Sequence, residues 1–108
     1  MSDDFKAQRE KEVTSDKIVI YIKGTKEQPM CGFSAKAIEI FRKIGKPFTT
    51  IDILKNPEIR AHMEEFSNWP TFPQIFVGGE FVGGCDIISE MYAGGELEPL
   101  VKKTFGEV

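Results

Sequence analysis

The chain has 108 residues, 41% hydrophobic and 29% charged, proportions typical of one globular domain with a modest core. Its formal net charge of −3 argues against nucleic acid as the main partner, because phosphate binding needs a basic face. No apolar run approaches the roughly 20 residues that span a bilayer, and the acidic start Met1–Asp4 lacks a signal-peptide pattern. We therefore expect no membrane contact and a reducing compartment, the cytoplasm. In such a compartment the two cysteines of a small chain are more often reactive or metal-binding than part of a disulfide framework.

The first half of the chain predicts a helix and then a strand–helix–strand unit. Charged helix formers over Phe5–Val13 predict a short, weakly packed N-terminal helix. The continuous apolar run Ile18–Ile22 predicts a strand that is buried on both faces. Apolar residues at helical spacing predict a helix over Cys31–Ile44, and Phe48–Ile53 predicts a second strand, parallel to the first because a helix connects them.

The second half predicts a helix, a hairpin and two further helices. Asn56 followed by Pro57 is typical of a helix cap and first helical position, so a helix is expected as far as Phe66. Gly78-Gly79 between two short apolar runs predicts an antiparallel hairpin of residues 74–77 and 81–83. Asp86 is a candidate cap for a helix over residues 87–92, and a last helix is expected over residues 97–105. A βαβ unit followed by ββα implies an α/β fold with one mixed sheet and helices on its faces.

The candidate reactive group is Cys31, which follows a strand and a loop and precedes a helix. Unpaired N–H groups and the positive end of the helix dipole favour a thiolate there, and a thiolate is the form that attacks sulfur and binds soft metals. Gly32 leaves room beside the sulfur, and Ser34 stands where a second thiol could otherwise resolve a mixed disulfide. The site can therefore form an adduct but no local disulfide. The alternative is a buried structural cysteine.

Four motifs in order resemble the monothiol glutaredoxins of the Cys-Gly-Phe-Ser type, a family with the thioredoxin fold. The motifs lie at residues 23–25, 29–34, 69–74 and 78–86, so the likeness spans roughly residues 16–106. The resemblance implies a thioredoxin-like α/β fold with a four-stranded mixed sheet, a glutaredoxin domain over residues 16–108, and a helical extension over residues 1–15. The single-domain bacterial and organellar members are the most similar.

The resemblance also implies a glutathione site around Cys31, the residue that would ligate iron or form the mixed disulfide. Lys23 and Arg60 would pair with the glycine carboxylate of glutathione, although an isolated lysine or arginine, without the resemblance, is more often a solvated surface charge. A cis bond before Pro73 would turn the backbone of Phe72 outward to pair with the extended tripeptide backbone, and Thr71 would lie at a flanking position. Trp69 resembles a flanking position or is a core residue.

The γ-glutamyl end of glutathione would lie against Gly84, Cys85 and Asp86. Backbone N–H groups at the helix start there would bind the α-carboxylate, and Asp86 would pair with the ammonium group. Cys85 is a spectator, or a thiol that forms a disulfide with Cys31 on oxidation.

A [2Fe–2S] cluster needs four ligands, usually thiolates, and one chain offers few. The resemblance implies a homodimer that shares the cluster, each copy supplying Cys31 and a bound glutathione, and mixed complexes with BolA-like proteins and iron–sulfur recipients. The first hypothesis is therefore a glutathione-dependent [2Fe–2S] carrier or iron-sensing adaptor. The second is a glutathione-disulfide oxidoreductase that acts on protein mixed disulfides through one thiol, its turnover weak because of the loop at residues 25–30. A thioredoxin-fold interaction module is the third.

Overall fold

The computed structural model describes residues 3–107, which form a four-stranded mixed sheet covered by helices. The elements in chain order are α1 Asp3–Val13, β1 Ile18–Ile22, α2 Gly32–Ile44, β2 Thr49–Asp52, α3 Pro57–Ser67, β3 Gln74–Val77, β4 Glu80–Gly83, α4 Cys85–Ala93 and α5 Leu97–Thr104. The strand order is β2-β1-β3-β4, with β1 parallel to β2 and antiparallel to β3. The predicted α/β architecture is confirmed.

Strand β1 is central, and all five of its residues are buried. Ile18, Ile20 and Ile22 face one core with α2, α4 and α5, whereas Val19 and Tyr21 face a second core with α1 and α3. A strand covered by helices on both sides needs apolar residues at successive positions. This explains why β1 is a continuous apolar run.

The start of α2 places the predicted reactive cysteine at the helix cap. Cys31 has extended backbone angles of φ −152° and ψ 138°, and the helix itself begins at Gly32, one residue later than predicted. The helix ends at Ile44, and its cap is Gly45, whose φ of 84° lies in the left-handed region and whose N–H donates to the Phe41 carbonyl at 3.2 Å. The apolar stripe of α2 then packs into the first core.

The start of α3 is as predicted, but that of α4 is not. Asn56 caps α3 by accepting the Glu58 N–H at 3.1 Å on Oδ1. Asp86 is not the cap of α4, because the chain turns earlier and the Gly84 carbonyl already accepts the Ile88 N–H at 3.1 Å. Gly84 is therefore the cap residue, and Asp86 lies in the first turn of α4.

The predicted hairpin between β3 and β4 is confirmed. Gly78 and Gly79 have φ of 62° and 82°, which the two-residue turn requires, and Val77 pairs with Glu80. Strand β4 thus begins one residue earlier than predicted. The hairpin brings Gly83 and the start of α4 beside the loop that precedes β3.

Helix α1 packs more firmly than its few apolar residues indicate. Val13 and Arg9 are buried, the Tyr21 hydroxyl donates to Glu12 Oε1 at 2.5 Å, and Arg9 lies 3.1 Å from the same carboxylate oxygen. Burial, followed by the hydrogen bond to Glu12, raises the pKa of Tyr21. Because the contacts are mainly polar, the pattern of apolar residues alone could not reveal them.

Candidate functional site

Cys31 lies half-buried at the cap of α2 and is a free thiol. The surface beside it is open, because a Cβ added at Gly32 would meet no atom within 4 Å. Met30 and Phe33, on either side, are among the large apolar residues that solvent reaches, with exposed fractions of 70% and 62%. The sulfur is therefore accessible and is surrounded by apolar surface.

The protein lowers the pKa of the Cys31 thiol. The largest cause is the backbone N–H of Ser34, which hydrogen-bonds to the thiolate, and the Phe33 N–H, the charge of Lys23 and the Ser34 hydroxyl add to it. These contributions outweigh the opposing effect of partial burial. The helix start thus favours the nucleophilic and metal-binding form of the cysteine.

Ser34 joins the reactive helix to the end of the central strand. It is fully buried, and its Oγ accepts the backbone N–H of Lys23 at 3.2 Å. The carbonyl of Lys23 in turn accepts the Met30 N–H at 2.8 Å. The backbone of Lys23 therefore holds both the loop before Cys31 and the first turn of α2.

The loop at residues 25–30 is closed by local hydrogen bonds. Thr25 and Gln28 exchange bonds of 3.1 and 3.0 Å, and Gly24 pairs with Pro29 in a β-bridge. Asp52 Oδ1 at the end of β2 accepts the Gly24 N–H at 3.0 Å. Gly24 has φ of 98°, and a Cβ there would lie 2.5 Å from the Gln28 carbonyl oxygen, so a side chain is excluded.

All of the predicted site residues line one groove of about 420 Å³. They are Lys23, Cys31, Arg60, Thr71, Phe72, Pro73, Gly84, Cys85 and Asp86. Their sources are the end of β1, the start of α2, helix α3, the loop before β3 and the start of α4. The structure thus brings together residues that are far apart in sequence, although their contacts with a ligand remain predictions.

The groove residues differ in how they are presented. Lys23 is half-buried, whereas Arg60 is exposed, with its Nε 3.5 Å from Glu64 Oε1 on the same helix. Thr71 and Asp86 are exposed, and Phe72 and Pro73 are buried and joined by a cis peptide bond, as the resemblance implied.

The two cysteines have different environments. Cys85 is only 8% exposed, and its sulfur lies 3.9 Å from the Ser89 hydroxyl oxygen. The buried structural alternative therefore describes Cys85 better than Cys31. Both are free thiols.

Phe33 and Pro70 line the groove but were not among the predicted site residues, and Trp69 was noted only as a flanking position. The signal that could have found Phe33 is its place in the motif of residues 29–34, two positions after the reactive cysteine. Trp69 is half-buried and packs on Phe81, with ring centroids 5.6 Å apart. Trp69 therefore lines the groove and packs on a residue at the edge of the second core.

Residues 3–107 contain neither a membrane-spanning helix nor a cluster of metal-binding side chains. None of their helices combines the length and apolar character needed to cross a membrane. Within the same residues, no cluster of three or more histidine, cysteine, aspartate or glutamate side chains could hold a metal ion.

Comparison with known proteins gives a consistent family. The Glutaredoxin family model matches residues 18–82. Probable monothiol glutaredoxin 2 of Rickettsia felis is 52% identical over 93 residues, which are 86% of this chain and 89% of that protein. Glutaredoxin 4 of Escherichia coli strain K12 is 48% identical over 95 residues, 88% of this chain and 83% of its own. The solution structure of reduced apo GrxS14 from poplar has a TM-score of 0.83 and 45% identity, and the match covers 95% of this chain and 94% of that one.

The chain belongs to the glutaredoxin family, and its fold is the thioredoxin-like fold that the sequence resemblance implied. Within that family it is a monothiol glutaredoxin, as the names of its relatives and the serine at position 34 agree.

Proposed function

We propose that this monothiol glutaredoxin binds glutathione in the groove and, with it, receives a [2Fe–2S] cluster shared between two copies of the chain and passes it to recipient proteins. The observation that carries the proposal is the accessible Cys31 sulfur at the groove, whose pKa the helix start lowers. The other cysteine of the chain, Cys85, is buried, so each chain presents one thiolate to a ligand.

The charges along the groove suit the two ends of glutathione. Lys23 and Arg60 supply positive charge for the glycine carboxylate, and Asp86 supplies negative charge for the γ-glutamyl ammonium group. Helix α4 begins at Cys85 with Gly84 as its cap residue, and no side chain within the described residues caps it. Its first N–H groups are therefore suited to bind the γ-glutamyl α-carboxylate.

The count of ligands supports sharing between chains. A [2Fe–2S] cluster takes four ligands, usually thiolates. If two of the four are small molecules, they can be exchanged, and the cluster can be transferred to another protein. Two Cys31 thiolates and two glutathione thiolates complete the set. Met30 and Phe33, which are exposed beside Cys31, would be covered by a second copy or by a BolA-like partner.

The same sulfur supports a second candidate, a glutathione-disulfide oxidoreductase. The Cys31 thiolate attacks the glutathione sulfur of a protein mixed disulfide, and the protein thiolate leaves. A second glutathione thiolate then attacks the glutathione sulfur on Cys31, releasing glutathione disulfide and restoring the thiolate. Ser34 takes no part, because a buried hydroxyl does not displace a thiolate.

Anaerobic reconstitution with iron and sulfide, with and without glutathione, distinguishes the two candidates. We expect visible cluster absorbance and a dimer mass only when glutathione is present, loss of both in Cys31→Ser, and retention of both in the matched control Cys85→Ser. A colourless monomer under both conditions, together with rapid turnover of a glutathione mixed disulfide, would instead establish the oxidoreductase.

A further inference from the structure

Gln74 is a buried polar residue at the start of a strand that is otherwise apolar. It is 0% exposed and is followed by Ile75, Phe76 and Val77, which are also buried. Burying an amide is costly unless its groups are hydrogen-bonded. The role of Gln74 therefore depends on the groups to which its amide is hydrogen-bonded.

Both partners of the Gln74 amide lie in the wall of the groove. Its Nε2 donates to the Trp69 carbonyl at 2.9 Å and to the Thr71 carbonyl at 3.3 Å. One side-chain NH₂ group thus holds two carbonyls of the loop that joins α3 to β3. The Oε1 atom of Gln74 has no hydrogen-bond partner within residues 3–107, so donation to this loop is the contact that its amide makes there.

The braced loop faces the start of α4 across the groove. A Cβ added at Gly84 would lie 3.1 Å from Trp69 Nε1 and 3.3 Å from the Pro73 carbonyl oxygen, so the two walls meet closely at this point. A shift of the Trp69 backbone would therefore change the spacing between the loop and the α4 N-terminus. The family resemblance assigns the tripeptide backbone to the first of these walls, and the proposed function assigns the γ-glutamyl end to the second.

We propose that Gln74 is a positioning residue for the glutathione groove: its amide holds the backbone of residues 69–71 in the conformation that accepts the tripeptide. The inference rests on the proposed function, because it assigns the ligand of the groove to be glutathione. Without the brace, the loop adopts several conformations, and the apparent dissociation constant rises in inverse proportion to the fraction of molecules that stays competent to bind. If a tenth of the molecules remain competent, binding weakens about tenfold.

The test is Gln74→Met, which keeps an unbranched side chain of similar size and removes both donors. Thr49→Val is the matched control, because it removes the 2.7 Å bond from Thr49 Oγ1 to Asp16 Oδ2, which lies outside the groove. The measurements on the full chain are glutathione affinity by calorimetry, thermal unfolding, and the fluorescence of Trp69, the only tryptophan in the sequence.

We expect Gln74→Met to bind glutathione about tenfold more weakly and to shift the Trp69 emission of the ligand-free protein. Thr49→Val should lose stability but keep the wild-type affinity and emission. Wild-type affinity and emission in Gln74→Met would overturn the inference, and Gln74→Leu carries the same test if the methionine variant does not fold. If the wild-type protein binds no glutathione, the proposed function is wrong. The Trp69 emission of the ligand-free variants still tests whether Gln74 holds the loop, because it does not depend on glutathione.

Discussion

Replacing Ser34 by alanine tests whether the buried hydroxyl couples the central strand to the reactive helix. The substitution removes the acceptor of the Lys23 N–H, a bond of 3.2 Å, and one of the hydrogen bonds that lower the pKa of Cys31. It leaves the backbone N–H of Ser34, the largest cause of that lowering, in place. Stability should therefore fall, and the pKa of the Cys31 thiol should rise only in part.

The magnitude follows from the burial of the site. A buried donor left without its partner costs about 1–3 kcal/mol, and the better helix propensity of alanine offsets about 0.5 kcal/mol of this. Because the bond is long, we expect a net loss of about 1–2 kcal/mol in the free energy of unfolding. For a small domain this corresponds to a fall in Tm of about 4–8 °C for each kcal/mol.

Urea denaturation measures the stability, and the pH dependence of Cys31 alkylation measures the thiolate. We expect the alkylation midpoint of Ser34→Ala to rise but to remain below that of an unperturbed thiol, about 8.5. Ser89→Ala is the matched control, since this half-buried helical serine has only a 3.9 Å contact with the Cys85 sulfur. A Ser34→Ala variant with wild-type stability and alkylation profile would show that the hydroxyl holds neither the strand nor the thiolate.

Three further outcomes are expected. Folding lowers the pKa of Cys31, so the wild type should be more stable relative to Cys31→Ser above the pKa of the unfolded thiol and should lose this advantage as pH falls through the folded pKa. Urea denaturation of both proteins from pH 5 to 9 measures the difference. A difference that does not vary with pH would contradict the prediction. Lys23→Gln should raise the Cys31 alkylation midpoint and weaken glutathione binding measured by calorimetry, whereas no change in either would remove Lys23 from the site. Gly24→Ala should unfold at lower urea concentration, because its Cβ would lie 2.5 Å from the Gln28 carbonyl oxygen, while Gly32→Ala, with open space around it, should not; equal midpoints would refute the steric argument.

The two cysteines should differ in reactivity. The helix start lowers the pKa of Cys31 and the surrounding surface is open, whereas Cys85 is 8% exposed within the same groove. Reactivity follows thiolate character and access. We therefore expect oxidants and alkylating agents to modify Cys31 first, with Cys85 reacting after Cys31 or on unfolding.

The elements that the sequence predicted well are those whose signals are local. Residues 18–22 form a strand because a run of apolar side chains must be covered on both faces, and residues 78–79 turn because two glycines adopt positive φ. The start of α3 follows from Asn56 and Pro57 alone. Each of these signals depends on neighbours within a few positions.

The errors arose where the deciding contact was not local. Asp86 has the chemistry of a cap, but the hairpin delivers the chain so that Gly84 takes that place. Helix α1 lacks an apolar stripe, but its Glu12 accepts the hydroxyl of Tyr21 from the central strand, and Arg9 pairs with Glu12. Polar contacts between distant segments leave no periodic signal in the sequence.

The sequence by itself determined the chemistry of the site: one cysteine at the start of a helix, a serine where a second thiol would resolve an adduct, and charged residues of both signs. Only the tertiary structure decided that Lys23, Arg60, Phe72 and Asp86 share one groove with Cys31, and that Cys85 beside them is buried. The physical reason is that residue type and helix position are properties of a short segment. The spacing of groove walls depends on how the sheet and its helices pack, and on long-range bonds such as those of Gln74.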